Sequence, residues 1–177
     1  MDELMYKGKK FTRSSSKWVD SDNMVVHESL QRELNKLFID GVDFSLFSIS
    51  QLVDEGDKFK NSYTYDLAIA FYEKAADKCD KEMLQYILPR ITSCYRHHKT
   101  PRKAIELFTL AKSRYGEDFI TPVLLTSVAA AYCDLKEYDN ALRCCRWAYK
   151  RYGGELDPNL SNVFARIKKE SGLEENG

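Results

Sequence analysis

Apolar residues fall at helical spacing along most of the chain. Leu160, Val163, Phe164 and Ile167 sit at i, i+3, i+4 and i+7, the stripe of a helix that buries one face. Leu30, Leu34, Leu37 and Phe38 keep the same period and predict a leading helix within 28–43. The first 27 residues differ. Tyr6, Phe11, Trp18, Val19, Val25 and Val26 are separated by Ser14-Ser15-Ser16 and by Ser21-Asp22-Asn23. Aromatic and β-branched residues between turn formers predict a short β-hairpin or ribbon over 1–27. The pattern thus predicts an all-α chain with a small β element at its start.

The middle of the chain repeats itself. Three segments align on one alanine: Tyr65-Asp66-Leu67-Ala68, Arg102-Lys103-Ala104 and Asp139-Asn140-Ala141. An aromatic, Phe59, Tyr95 or Tyr132, precedes each alanine by nine residues, and a second alanine, Ala75, Ala111 or Ala148, follows by seven. These spacings resemble the tetratricopeptide repeat, whose pattern has an aromatic late in helix A and a small, a large and a small residue along helix B. The resemblance covers 46–154 and sets three repeats at about 46–80, 82–116 and 120–154. Gly56, three residues before Phe59, matches the family's small position; Ala129 substitutes acceptably and Thr92 less well. The resemblance implies a right-handed superhelix of helical hairpins. Alanines sit where helices A and B cross closely, and large residues fill the groove of the next repeat. The 157–172 segment becomes a capping helix over the last exposed core surface. Residues 173–177 are expected to fray.

The departures carry information too. The alanines recur after 36 and then 37 residues, against about 34 in the family. Constant aromatic-to-alanine spacing puts the surplus between helix B and the next helix A. Gly116 and Gly153 each follow the second alanine by five residues and are expected to cap helix B in the left-handed conformation. Thr100-Pro101, Thr121-Pro122 and Asp157-Pro158 each put a capping side chain before a proline at the first helical position. Pro89 falls inside helix A of the second repeat and should kink it or force an irregular first turn.

Charge narrows the partners. Lysine plus arginine and aspartate plus glutamate both number 27, a formal net charge of zero. Such a chain is a poor electrostatic match for nucleic acid or anionic membrane. No apolar run approaches a bilayer span, and the first residues lack the pattern of a signal peptide. The five cysteines, Cys79, Cys94, Cys133, Cys144 and Cys145, are odd in number with no Cys-x-x-Cys pair. They read as reduced thiols in a cytoplasmic protein. Cys94 and His97 lie three apart, but no further metal ligand is near them in sequence. Phosphate loops, nucleophile elbows and zinc-protease motifs are missing, so neither catalysis nor a cofactor is expected.

The resemblance implies a protein or peptide partner, held along the face made by helix A of each repeat. Those positions are Asp57, Lys60 and Asn61, then Tyr86, Ser93, Arg96 and His97, then Thr126, Ala130 and Asp134. Arg96 with Tyr86 suits an acidic or C-terminal peptide group. The family's clamp for chaperone tails needs lysine and asparagine where this chain has Val53, Asp57, Pro89 and Ser93, which argues against that ligand. A second reading is a regulator whose N-terminal ribbon contacts nucleic acid. There Lys7, Lys9, Lys10, Arg13 and Lys17 would meet phosphates and Trp18 would stack on a base. Self-association through an uncapped end is a third.

Overall fold

The computed structural model describes residues 3–14 and 16–172, which divide into two compact units, Met1–Lys78 and Cys79–Gly177. The fold is all-α with a small sheet at its start. The expected fraying of 173–177 lies outside the described residues.

In the first unit the ribbon is a three-stranded antiparallel meander rather than a single hairpin: β1 (Glu3–Tyr6), β2 (Lys9–Ser14) and β3 (Lys17–Val19). Lys7 and Gly8, both at positive φ, form the tight turn between β1 and β2. The first helix, α1 (Glu28–Asp40), is joined through a 3-10 turn at Phe44–Leu46 to α2 (Ile49–Asn61), and α3 (Tyr65–Lys78) completes a hairpin with α2. A capping box of Ser48 and Gln51 starts α2.

Trp18 fixes the meander to the helices. It is wholly buried, and its indole Nε1 donates to Asn35 Oδ1 at 2.8 Å. Asn35 Nδ2 in turn donates to Asp66 Oδ2 at 2.8 Å. The backbone of Trp18 is read twice by Gln31, which accepts from its N–H and donates to its carbonyl. Every polar group of this buried junction named here therefore has a partner, as burial requires. Gly56 lets α2 press against the ring of Tyr72 on α3. A Cβ there would lie 2.6 Å from a ring carbon.

The second unit holds two hairpins and a last helix: α4 (Lys81–His97) with α5 (Pro101–Tyr115), α6 (Pro122–Asp134) with α7 (Tyr138–Arg151), and α8 (Pro158–Ser171). The repeated alanines are where close packing demands them. Ala104, Ala141 and Ala148 are fully buried and Ala111 nearly so. Cys145, at the position that Phe108 holds in the preceding hairpin, is also fully buried. Helix α6 is buried on most of its circumference because α4, α5, α7 and α8 all pack on it.

Three local expectations change. The first surplus between repeats is not a long turn. Only Cys79 and Asp80 separate α3 from α4, and α4 takes up the extra length as helix. It continues across Pro89. The second surplus is a turn as expected, a 3-10 turn at Glu117–Phe119 that plugs Phe119 and Ile120 into the core. Gly116 has φ +83° but an extended ψ of 175°, so it is not the left-handed cap; Gly153 does follow α7 at φ +70°, with Gly154 N–H donating to the Tyr149 carbonyl, and Gly172 after α8 is left-handed too. Thr121 and Asp157 cap their helices, whereas Thr100 makes no cap bond and its hydroxyl donates back to the Tyr95 carbonyl.

Candidate functional site: a polar cleft on helices α4, α6 and α8

Helices α4 and α6 of the second unit turn short polar side chains to one side, and α8 lies beside them. Together they line a cleft of about 450 Å³. Ser93, Arg96 and His97 come from α4, and Thr126, Ser127 and Ala130 from α6. Five of these are residues the repeat pattern had placed on the ligand face. Helix α8 adds Asn159, Asn162 and Arg166.

Asp134 ties the three helices together at one end. Arg96 Nε donates to one carboxylate oxygen at 2.8 Å, and Arg166 Nη1 donates to the other at 2.6 Å. Arg166 Nε also donates to Glu170 at 2.8 Å. The side chains of Arg96 and Asp134 are about a fifth exposed, so the pair is sheltered and worth more than a surface ion pair. Bonds to Glu170 and Asp134 push Arg166 further toward the protonated form, and the same contact from Arg166 holds the Glu170 carboxyl below its ordinary range. Two guanidiniums share Asp134, so this end keeps donors for another acceptor.

The other expected positions fare differently. Tyr86 is half exposed and does not line the cleft; the Arg90 guanidinium covers its ring with 3.6 Å between carbon and ring centre. Thr126 is buried and donates to the Pro122 carbonyl. Asp57 accepts the Tyr72 hydroxyl at 2.5 Å. Asp57, Lys60 and Asn61 belong to the first unit. The sequence reading missed the contribution of α8, treating it only as a cap. Its signal was present: Asn159, Asn162 and Arg166 fall at i, i+3 and i+7, a polar stripe beside the apolar one.

The basic ribbon does not form the expected stacking surface. Trp18 and Phe11 are buried, and the Tyr6 hydroxyl donates to Glu33 at 2.6 Å. The Arg13 guanidinium lies over the rings of Phe59 and Phe38. Lys10 pairs with Glu3 at 2.8 Å, and Lys7 sits over the Tyr6 ring. Lys7, Lys9, Lys10 and Lys17 are exposed, but cations alone lack the aromatic platform such binding needs. Among the described residues no group of three His, Cys, Asp or Glu is placed to hold a metal, and no helix is long and apolar enough to cross a membrane.

The hairpins define an all-α fold of the tetratricopeptide kind. Among solved structures, the chain is similar to the TPR domain of Sgt2 from Aspergillus fumigatus, with a TM-score of 0.59 and 16% identity, over 73% of this chain and 85% of that one. At that identity the likeness bears on fold. Neither family models nor curated proteins give a match.

Proposed function

We propose that the chain is a non-catalytic scaffold or adaptor that holds an extended segment of another protein in the cleft of α4, α6 and α8. The observation that supports this reading is the convergence of Ser93, Ser127, Asn159 and Asn162 beside Arg96 and Arg166. Short polar side chains suit the amide groups of an extended backbone, and a guanidinium suits an acidic side chain or a terminal carboxylate. The four buried thiols and the half-buried Cys79 fit a reducing, cytoplasmic setting.

The test starts by capturing partners with the intact chain and trimming one to its bound segment. Calorimetry then compares the unaltered chain with Ser127→Ala, Asn162→Ala and the double variant. Each lost hydrogen bond should weaken binding by roughly 0.5–1.5 kcal/mol. Unchanged affinity in the double variant moves the binding site off this cleft.

A further inference from the structure

A second cleft lies wholly within the first unit and differs in chemistry. The chain from Gly41 to Phe47 leaves α1, forms the 3-10 turn and closes one side of a hollow of about 670 Å³. That volume is in the range of pockets that take small molecules. Four phenylalanines contribute to the walls: Phe38 from α1, Phe47 after the turn, Phe59 from α2 and Phe71 from α3. Their rings form a connected series, Phe38 to Phe59 at 6.2 Å, Phe59 to Phe71 at 5.2 Å and Phe71 to Phe47 at 5.9 Å. The first and last of these pairs meet at 78° and 82°, so ring edges point at ring faces.

The charged groups beside the rings are engaged with the protein itself. Glu55 pairs with Lys58 on α2. Asp43 accepts from the Ser45 hydroxyl and N–H, and these bonds hold its carboxyl below the ordinary range. The Arg13 guanidinium lies over the Phe59 and Phe38 rings. The wall at the turn is pinned as well, because Lys78 Nζ donates to the carbonyls of Phe44 and Phe47. A wall fixed in advance loses little entropy when a ligand arrives.

We propose that this hollow binds an uncharged aromatic small molecule. A flat ring among Phe47, Phe59 and Phe71 continues the edge-to-face series, which a saturated skeleton cannot do. A charged ligand would give up its hydration beside acids and a lysine that already have partners. A protein partner is the wrong size. Twelve of the described residues line the hollow, whereas a stable protein interface takes about 20–30 residues a side. The proposal stands apart from the cleft of α4, α6 and α8, since every lining residue belongs to the first unit.

The probe is 2-naphthol, titrated calorimetrically into the intact chain at neutral pH, where it is uncharged. The comparators are 2-naphthoate, (2-naphthylmethyl)ammonium and decahydro-2-naphthol, which present an anion, a cation and a saturated skeleton in turn. 2-Naphthol should bind saturably and at least about tenfold more tightly than any of the three, a difference of about 1.4 kcal/mol. Phe47→Ala, which removes one ring from the wall, should weaken it severalfold, with circular dichroism reporting that the variant folds. Amide-shift mapping on the unaltered chain locates the site without relying on a variant: 2-naphthol should move Val42, Phe47 and Ser62, which line the hollow. No saturable binding, a comparator bound as tightly as 2-naphthol, undiminished affinity in a folded Phe47→Ala, or shifts confined to residues 79–177 would each overturn the proposal.

Discussion

Gly56→Ala sets two known effects against each other. Alanine is favoured over glycine inside a helix by about 1 kcal/mol, so on propensity alone the variant gains stability. Its Cβ, however, would lie 2.6 and 2.7 Å from two carbons of the Tyr72 ring. Ordinary contact begins near 3.4 Å, so the ring must retreat by about 0.8 Å. It has little room to do so. Tyr72 is fully buried, and its hydroxyl is tied to Asp57 at 2.5 Å. Overpacking of this kind costs about 1–3 kcal/mol, and more where a neighbour is anchored. The clash should win, leaving Gly56→Ala less stable by about 1–2 kcal/mol. Urea unfolding followed through Trp18, in a Trp147→Phe background, reports on the first unit. With a slope of about 2 kcal/mol per molar, the midpoint should fall by roughly 0.5–1 M. The same change on a Tyr72→Leu background should be neutral or stabilising, because the obstructing ring is gone. An unchanged or raised midpoint with Tyr72 present would refute the close α2–α3 crossing, and with it the assignment of Gly56 to the repeat's small position.

In the second unit, Ala104→Leu and Ala141→Leu should each cost about 1–3 kcal/mol by overpacking a fully buried crossing, read as a lower denaturant midpoint. Arg96→Ala should lower stability by about 1 kcal/mol, since it leaves the sheltered Asp134 with one guanidinium in place of two, and a melt followed by circular dichroism checks it. Trp18 alone, in Trp147→Phe, should emit at short wavelength and resist acrylamide quenching, because it is wholly buried. Burial pushes the Cys144 thiol up to about 11 and Cys145 up to about 12 from an ordinary 9.0, so native chains should react with a thiol reagent first at Cys79. Those raised values also fix a sign. Above pH 9 the unfolded chain releases thiol protons that the folded chain retains, so stability from these groups is full below pH 9 and declines as pH rises toward 11–12.

The hairpins were legible in the sequence because close helix crossings leave local marks. Ala104 and Ala141 are fully buried where two helices cross closely, and each is preceded by an aromatic nine residues earlier, so the crossings leave a spacing that recurs in the sequence. The docking of Trp18 leaves no mark in the linear sequence, since its partners Asn35 and Gln31, and Asp66 behind Asn35, are brought to it by tertiary contact alone. The face on α4 and α6 was anticipated from repeat positions. What escaped was the pairing within it: Arg96 and Asp134 both stood on that face, yet they meet each other, and Arg166 joins from 32 residues away. For Tyr86, helical spacing gives the direction around the α4 axis but not the Arg90 guanidinium that covers its ring. Arg13, Phe38, Phe59 and Phe71 line one hollow of the first unit but give no linear sign of it, since only the fold brings them together.

Whether a partner segment lies in the cleft of α4, α6 and α8 is decided by amide-shift mapping with that segment. The isotopically labelled chain is titrated with the trimmed partner, and the perturbed amides are assigned. The largest shifts should fall at Ser93, Ser127, Asn159 and Asn162, all of which line the cleft. Shifts confined to α5 and α7, with these four unmoved at saturation, would contradict it and place the partner elsewhere on the molecule.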